Sequence, residues 1–409
     1  MKNPGFTTNI IHSDRLGKPE HGSLHKPVHT SIAYGYDKAE DLAAVFQGTA
    51  QGYAYARQAN PTVSALERKV TGMEQGVATV CFSTGMAALG AVLTTLLRKG
   101  DHVVSSAFLF GNTNSLLNTL AGIGIDVTFV DATDVARVEA AVTPATRLVL
   151  VETIANPATQ VADMARIGAL CQAKGLVYVV DNTLTSPYLF LPKGVKASLS
   201  VNSLSKYFGG HGNALGGSVT DTGLFDWSAF PNILDIYKTG KPSMYAMLQL
   251  RKKGLRDFGG TLAPEAAHVL SVGSETLALR MDRACGNAAR IALFLSTHRR
   301  VKAVHYPGLN SHPQNSLAKE LFKRPGALLS FVLADSVDPF AFLNRLKLAI
   351  CSSNLGDNRT LIIPVAQTIF YEMGPARRAG MGIEDGMIRL SVGIEDAEDL
   401  LEDFAQALG

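Results

Sequence analysis

Val177-Tyr178-Val179-Val180-Asp181 and Ser203-Leu204-Ser205-Lys206 are the two stretches that decide how this chain is organised. The first is an apolar run of the kind found in strands that are buried on both faces, and it ends in an acid. The second follows a β-rich run, Leu199 to Ser203, and ends in a lysine. Ligands of open α/β sheets bind beyond the carboxyl ends of the strands, so we expect Asp181 and Lys206 to share one site.

The same alternation of β-rich runs and helical patterns continues on both sides of these stretches. The predicted strands are His102 to Ser106, Val127 to Asp131, Arg147 to Glu152, Val177 to Asp181 and Leu199 to Ser203. Candidate helices between them are Asn114 to Ala121, Asp163 to Lys174 and the segment after Gly85. Parallel strands need a crossover helix, so this order predicts an α/β fold with a doubly wound, mainly parallel sheet.

The length of 409 residues favours more than one domain, because single hydrophobic cores stop growing below this size. Residues 1–62 are polar and weakly periodic, which predicts an arm that packs on a neighbouring subunit. Residues 63–260 form the predicted large domain, and residues 261–409 form a smaller C-terminal α+β domain. The patterns in the smaller domain predict a long helix from Pro264 to His298, strands from Leu328 to Leu333 and from Met387 to Gly393, and a helix from Ala397 to Leu408.

Composition excludes several classes of function. A net charge of +3 without basic runs argues against a nucleic-acid partner. The segment from Met1 to Thr30 has no apolar core, and no apolar run reaches the roughly 18 residues of a membrane span, so neither secretion nor membrane insertion is expected. The cysteines are far apart and have no metal-ligand spacing, which predicts reduced thiols, no metal and a cytoplasmic location. They are Cys81, Cys171, Cys285 and Cys351.

A lysine and an acid beyond adjacent strands are what an enzyme needs to hold pyridoxal phosphate. The lysine forms a Schiff base with the aldehyde, and the carboxylate keeps the ring nitrogen protonated. A phosphate site is predicted at Ser83-Thr84-Gly85-Met86, where a strand-like run meets a helix start, although an ordinary helix cap would leave the same pattern. The hydroxyls of Ser203 and Ser205 could donate to the same phosphate.

A glycine-rich stretch, Gly210 to Gly217, offers a different interpretation. It superficially matches a dinucleotide loop, and a nucleotide-binding protein on a doubly wound fold is the alternative from another class. The spacing is Gly-x-Gly-x-x-x-Gly, however, and the chain lacks both the Rossmann fingerprint and the Gly-Lys-Ser/Thr ending of a P-loop. We therefore expect these small residues to let the backbone pass close to another segment.

Taken together, these motifs make the chain similar to the pyridoxal-phosphate-dependent family of cysteine and methionine metabolism, over nearly its whole length. The resemblance implies the aspartate-aminotransferase-like fold (fold type I). It implies that Tyr55 and Arg57 reach the cofactor phosphate of a neighbouring subunit, that Ser83, Gly85 and Met86 form the phosphate loop, and that Asn156 contacts the phenolic oxygen. It also implies Asp181 at the ring nitrogen, Lys206 as Schiff-base partner and general base, and Arg389 on the substrate carboxylate.

Within that family the chain most resembles O-acetylhomoserine sulfhydrylases, through stretches such as Asn354-Leu355-Gly356-Asp357, which makes Asn354 a candidate substrate-binding residue. Phe110 stands where most members have the tyrosine that stacks on the ring, and Asn112 replaces a cysteine typical of methionine γ-lyases. The expected reaction is γ-replacement on an acylated homoserine by a thiol or sulfide, a carbon–sulfur bond-forming transfer. The alternative is γ-elimination by a lyase. The resemblance also implies a homotetramer built from two dimers. A dimer is the minimum if Tyr55 and Arg57 act across an interface.

Overall fold

The computed structural model describes residues 4–17 and 19–409. Its α-helices are α1 (Phe6–His12), α2 (Ala39–Gln47), α3 (Pro61–Glu74), α4 (Gly85–Leu96), α5 (Gly111–Ala121), α6 (Val135–Ala140), α7 (Met164–Lys174), α8 (Ser186–Leu189), α9 (Tyr245–Gln249), α10 (Pro264–Ser274), α11 (Leu277–Ser296), α12 (Asn315–Leu321), α13 (Pro339–Arg345), α14 (Pro375–Gly380) and α15 (Ala397–Leu408). A π-helical stretch, Leu250–Asp257, continues α9. Within the described residues, every helix is too short or too polar to cross a lipid bilayer.

The first sheet is mainly parallel, as the sequence predicts. Its strands are β1 (Ala78–Phe82), β2 (His102–Ser106), β3 (Asp126–Val130), β4 (Thr146–Glu152), β5 (Val177–Asp181), β6 (Leu199–Ser203) and β7 (Gly217–Asp221). They lie in the order β1-β7-β6-β5-β4-β2-β3, and β7 alone runs antiparallel to its neighbours. Apolar clusters cover both faces, which explains why the central strands β4 and β5 contain unbroken apolar runs.

The second sheet lies in the C-terminal part of the chain. Its strands are β8 (Val301–His305), β9 (Leu328–Leu333), β10 (Ile350–Cys351), β11 (Leu361–Pro364) and β12 (Met387–Ser391), in the order β10-β11-β12-β9-β8. The rings of Phe331, Phe342 and Phe404 meet at centroid distances of 5.9 to 6.4 Å and pack α13 and α15 on this sheet. The division into domains at about residue 260 agrees with the two sheets but stays a prediction.

The helix predicted from Pro264 to His298 is wrong as a single element. The structure ends α10 at Ser274 and begins α11 at Leu277, with Thr276 outside helical geometry. The guanidinium of Arg280 binds the carbonyl oxygen of Gly273 and the hydroxyl of Thr276, which holds the bend. The periodicity of apolar residues runs through this bend, so the sequence pattern did not reveal it.

The predicted arm is less irregular than its composition indicates. It contains α1 and α2, and α1 packs on its own chain because Ile10 is buried in the main core and the ring of Phe6 lies 5.2 Å from that of Tyr188. Further along the arm, Leu24 is 77% exposed and Phe46 is 71% exposed. Apolar side chains that protrude in this way agree with the predicted packing on another subunit, which stays a prediction.

A close backbone contact joins β7 to the start of α4. A Cβ atom at Gly217 would overlap the carbonyl group of Thr84 and lie 2.7 Å from the amide nitrogen of Gly85. A Cβ at Gly85 would in turn lie 2.8 Å from the Cβ of Ser203. Glycine is therefore required here for packing, and the contact holds the first turn of α4 against the end of β6.

We predict that Gly217→Ala destabilises the fold by about 1–3 kcal/mol, because the added methyl group must push α4 away from the sheet. Urea unfolding measures the change. The control is Gly286→Ala in α11, where a Cβ meets nothing within 4 Å and we expect a gain of about 0.5–1 kcal/mol. Equal unfolding midpoints for the two variants would contradict this account.

Candidate active site

A cavity of about 330 Å³ lies at the carboxyl edge of the first sheet, where the second sheet closes over it. Strand ends β4, β5 and β6, the start of α4, and loops of the C-terminal part contribute its walls. Of the predicted site residues, Gly85, Met86, Phe110, Asn156, Asp181, Ser203, Lys206, Asn354 and Arg389 line the cavity. Tyr55, Arg57, Ser83 and Ser205 do not. Segments distant in the sequence thus meet in one place.

Two carboxyl groups meet at the floor of the cavity. Glu152 and Asp181 are neighbours in the register of β4 and β5, and both face the cavity. The amide of Thr183 donates to Oδ1 of Asp181 at 3.0 Å, and the amide of Phe110 donates to Oε1 of Glu152 at 2.8 Å. Burial raises the pKa of Asp181, whereas burial and then the charge of Asp181 raise the pKa of Glu152 well above its usual range. One charge is therefore favoured at this floor, on Asp181.

Lys206 lies opposite that floor, on the turn after β6. Its Nζ donates to Oδ1 of Asn354 at 2.6 Å. Burial, followed by the positive charge of Arg389, lowers the pKa of Lys206 to about 8. A substantial fraction of the amine is therefore neutral near physiological pH, as a nucleophile or general base requires.

Arg389 on β12 is a buried cation, and none of the described residues supplies it with a counter-ion. One of its nitrogens, Nη2, donates to the carbonyl oxygens of Ser353 and Asn354, at 3.0 and 2.8 Å. Its Nε is buried and has no hydrogen-bond partner within residues 4–17 and 19–409, and burial lowers the pKa of the guanidinium to about 10. A planar guanidinium left unpaired beside a cavity is suited to bind a carboxylate.

The start of α4 offers an anion site. Thr84 caps the helix, its Oγ1 accepting from the amide of Ala87 at 2.9 Å, so the alternative of an ordinary cap is also realised. The amides of Gly85 and Met86 have no protein acceptor among the described residues. Free amides at a helix start, next to the hydroxyl-bearing Ser203, bind phosphate well.

Two of the predicted phosphate ligands are placed differently. Ser83 lies outside the cavity, and its amide donates to the carbonyl oxygen of Gly260 at 2.7 Å. The hydroxyl of Ser205 accepts from the amide of Gly216 at 2.9 Å and so fixes the glycine-rich stretch instead. Gly210 and Gly212 have positive φ angles of 72° and 61°, which favour glycine. The amide of Gly210 donates to the carbonyl oxygen of Lys206 at 2.8 Å, so this stretch holds the lysine turn. Contacts of Ser83 and Ser205 with a phosphate stay predictions.

Phe110 and Asn156 complete the wall beside the two acids. Phe110 is the residue before α5, and its backbone is held by Glu152. Asn156 is buried, and its side chain makes no hydrogen bond to any other described residue. An unpaired buried carboxamide beside a cavity indicates a site for a ligand oxygen.

Tyr55 and Arg57 lie together on the arm, away from the cavity of their own chain. The Cζ atom of Arg57 is 5.0 Å from the ring centroid of Tyr55, and its Nε donates to the carbonyl oxygen of Arg256 at 3.1 Å. Tyr55 is 45% exposed. This placement leaves both side chains at the surface, where a second subunit could meet them.

Sequence reasoning missed several residues of the site. The sequence showed Glu152 only as an acid at a strand end. It did not show that Glu152 and Asp181 are paired residues of neighbouring strands. Thr183 binds both Asp181 and, through Oγ1, the amide of Ser203 at 2.8 Å. Its position two residues after the acid was the one available signal. The remaining lining residues, such as Ser353 and Ile369, carry no motif of their own.

A possible metal cluster lies elsewhere. Ligand atoms of Asp14, His25 and Glu275 lie within 4.8 Å of one another. The ammonium group of Lys69, however, is 3.7 Å from Asp14 and 3.2 Å from Glu275. It already supplies a positive charge to both acids, so this arrangement is explained as a buried ion-pair network. The four cysteines are free.

Comparisons with known proteins agree with this geometry. A family model described as Cys/Met metabolism PLP-dependent enzyme matches residues 7–409. The chain belongs to that family. Its cofactor is therefore pyridoxal phosphate, and the alternative of a nucleotide-binding protein without this cofactor is wrong. The chain is 37% identical to an L-methionine γ-lyase of Pseudomonas putida over 410 residues, which covers 100% of this chain and 98% of that protein.

Other relatives carry different activities. A homocysteine synthase of Schizosaccharomyces pombe is 34% identical over 419 residues, with 98% of each chain covered. A Campylobacter jejuni protein assigned as an O-acetylhomoserine (thiol)-lyase has a solved structure with a TM-score of 0.93 and 30% identity, covering 99% of this chain and 100% of that one. That structure holds N'-pyridoxyl-lysine-5'-monophosphate. The aspartate-aminotransferase-like fold is thus confirmed, whereas the relatives divide between lyases and synthases.

The cavity fits pyridoxal phosphate. A lysine amine, free amides at a helix start, an unpaired carboxamide and a buried acid surround one space, and each is a group that this cofactor requires. The cavity also contains a second cationic group, Arg389, for a substrate carboxylate. On this basis we propose that the site residues have the roles that the family resemblance implies.

We predict that Lys206 in cofactor-depleted protein becomes half-reactive near pH 8, because burial and Arg389 favour its neutral form. Exposed lysines should need a pH of about 10. Acylation at a series of pH values, read by peptide mass spectrometry, measures this. Arg389→Leu should shift the midpoint upward, and Arg389→Lys, which keeps the charge, should shift it less. Reactivity that first appears near pH 10 in the parent would disprove the assignment.

Proposed function

We propose that this enzyme catalyses γ-replacement on an O-acylated homoserine, expelling a carboxylate and adding a thiol or sulfide at the γ-carbon. The substrate is then an amino acid with an ester at its far end, and the product is homocysteine or a thioether. The activity is that of a carbon–sulfur bond-forming transferase in sulfur amino-acid metabolism, as in O-acetylhomoserine sulfhydrylase or cystathionine γ-synthase.

The observation that carries this proposal is the identity of residue 110. A phenyl group stands in the cavity wall, and among the described residues that line the cavity none is tyrosine, histidine or cysteine. A carboxylate has a conjugate-acid pKa near 4 to 5 and departs without a proton, whereas a thiolate, with a pKa of about 8.5, departs better when protonated. This wall therefore favours an ester over a thioether as the substrate.

Pyridoxal phosphate, when bound, supplies an aldehyde for the substrate amine and a ring that stores the electron pair of the deprotonated carbon. Arg389 binds the α-carboxylate, whose charge compensates the buried guanidinium. Lys206, as the neutral amine, takes the α-proton and can deliver it elsewhere on the substrate. Asp181 stays ionised at the floor, where it would keep a proton on the ring nitrogen of the bound cofactor.

The same residues also suit γ-elimination, the second candidate. The similarity to L-methionine γ-lyases at 34–37% identity supports it, and the apolar side chains of Met86, Leu89, Leu184 and Leu355 could pack against a thioether. Without an incoming thiol, the γ-substituent leaves and hydrolysis gives an α-keto acid and ammonia. The two reactions differ in what reaches the γ-carbon.

We predict that the purified enzyme converts O-acetylhomoserine and sulfide to homocysteine with a kcat/KM at least about tenfold above its elimination of methionine or cystathionine, because one general-acid step is worth about 10²-fold. Chromatography of homocysteine, cystathionine and 2-oxobutyrate, with and without sulfide or cysteine, separates the outcomes. O-succinylhomoserine is assayed in parallel.

The matched variants are Phe110→Tyr and Phe110→Leu. The tyrosine restores a phenol and should raise methionine elimination with less effect on the ester reaction. The leucine removes the aromatic face without adding a hydroxyl and should lower both reactions. Methionine elimination as fast as the ester reaction in the parent, with 2-oxobutyrate as the main product, would instead establish the lyase.

We also propose that the active enzyme is at least a dimer, and a tetramer as its full assembly, in which Tyr55 and Arg57 complete the cavity of the neighbouring subunit. Both residues lie at the surface of their own chain and outside its cavity. A cationic and a phenolic side chain are suited to a phosphate that the amides of α4 hold from the other side.

We predict that mixed oligomers of Arg57→Ala and Lys206→Ala chains regain activity. Each homo-oligomer should lose about 10²-fold or more, because one lacks a phosphate ligand and the other its base. In a hybrid, one cavity receives both intact side chains, so co-refolded mixtures should recover up to about a quarter of parental turnover at equal ratio. Mixtures that stay as inactive as their components would show that the cavity is complete within one chain.

A further inference from the structure

A buried carboxylate lies beneath the active site on the opposite face of the first sheet. Glu74 is the last residue of α3 and is 1% exposed. Its Oε1 accepts hydrogen bonds from Nδ2 of Asn182 at 3.3 Å, from Oγ of Ser200 at 2.9 Å and from Nδ2 of Asn202 at 2.6 Å. One oxygen atom thus binds side chains from two neighbouring strand ends.

Two of the residues that Glu74 binds are chain neighbours of proposed cofactor ligands. Asn182 directly follows Asp181, and Asn202 directly precedes Ser203. Successive side chains of a strand point to opposite faces, so Asp181 and Ser203 face the cavity while Asn182 and Asn202 face Glu74. A displacement of either asparagine therefore also displaces the adjacent residue, which is a proposed cofactor ligand.

The network extends to the third strand of the site. Oγ1 of Thr185 donates to Oδ1 of Asn182 at 2.5 Å, so its contact with Oγ1 of Thr153 at 2.9 Å uses the proton of Thr153. Thr153 directly follows Glu152 at the end of β4. The ends of β4, β5 and β6 are thus joined below the sheet, while Thr183 joins β5 to β6 above it.

The fold alone gives no reason to place an acid at this position. Within the described residues, Oε2 of Glu74 is buried without a hydrogen-bond partner, and no lysine, arginine or histidine forms an ion pair with the group. Burial raises the pKa of Glu74 to about 7, which reflects the cost of its charge. An apolar side chain of similar volume would avoid that cost.

We propose that Glu74 is a positioning residue that sets the spacing between Asp181 and the Ser203–Lys206 turn by tying the ends of β5 and β6 together. The inference rests on the proposed roles of Asp181 and Lys206 and is independent of the choice between replacement and elimination. It assigns to Glu74 no contact with cofactor or substrate. A cofactor held at both its ring and its aldehyde depends on that spacing, since an error of 1 Å costs about 10²-fold.

The test compares Glu74→Leu with Glu67→Leu in the holoenzyme. Glu67 is a buried acid on the same helix, but it binds Arg251 at 2.8 Å and the amide of Cys81 at 3.0 Å, not β5 or β6. Both variants should lower the melting temperature. Only Glu74→Leu should speed cofactor dissociation by about tenfold or more, weaken the visible circular dichroism of the bound cofactor and lower kcat with little change in KM. Cofactor retention and spectrum like those of the parent in Glu74→Leu would overturn the proposal.

A second set of variants covers the case in which Glu74→Leu does not fold. Asn182→Ala and Asn202→Ala each cut the tie at one strand. Because the two cuts break the same connection, the double variant should release cofactor no more than about twofold faster than the worse single variant. If the effects of the two substitutions on the release rate multiply, or if the single variants release cofactor at the parental rate, then no such connection between β5 and β6 acts on the site. Failure of the proposed reaction appears only in the product assay, since cofactor release needs no substrate.

Discussion

The uncompensated charge of Arg389 is the constraint on which the site depends. A buried guanidinium whose described partners are carbonyl oxygens is costly until an anion arrives, so the cavity favours a ligand with a carboxylate. The same charge acts on Lys206, where it adds to burial in keeping the amine partly neutral. In the proposed mechanism, one side chain placed by a strand of the second sheet thus both recognises the substrate and activates the base.

The opposite wall of the cavity carries a single negative charge. Glu152 and Asp181 are paired residues of neighbouring strands, and both are buried. Repulsion between two buried carboxylates prevents both from being ionised. The backbone amide of Thr183 favours the anion on Asp181, while Glu152 accepts a hydrogen bond from the backbone of Phe110. The floor of the cavity therefore combines a fixed anion with an aromatic wall held by its neighbour. The ties below the sheet, centred on Glu74, keep these groups in register with the lysine turn.

Much of the fold was predictable because its strands are covered on both faces and read as short apolar runs. The predicted β2, β5, β6 and β9 agree with the structure in their bounds, and β3 and β4 differ by one residue. The bend between α10 and α11 was not predictable, because Arg280 holds it through contacts with Gly273 and with the sequence-distant Tyr207. The contact of the Ser205 hydroxyl with the amide of Gly216 was not predictable either, because it joins residues on separate turns, and the predicted phosphate contact of Ser205 stays a prediction.

The sequence by itself determined the class of chemistry: a lysine and an acid after adjacent strands, a helix start suited to phosphate, and an arginine in a late strand are local features that need no coordinates. Only the tertiary structure decided which groups share a charge, which hydroxyls remain free and which side chains lie away from their own cavity. Those properties depend on burial and on distances between segments as far apart as Asp181 and Arg389. Electrostatic interactions act through space, so the order of residues along the chain does not reveal them.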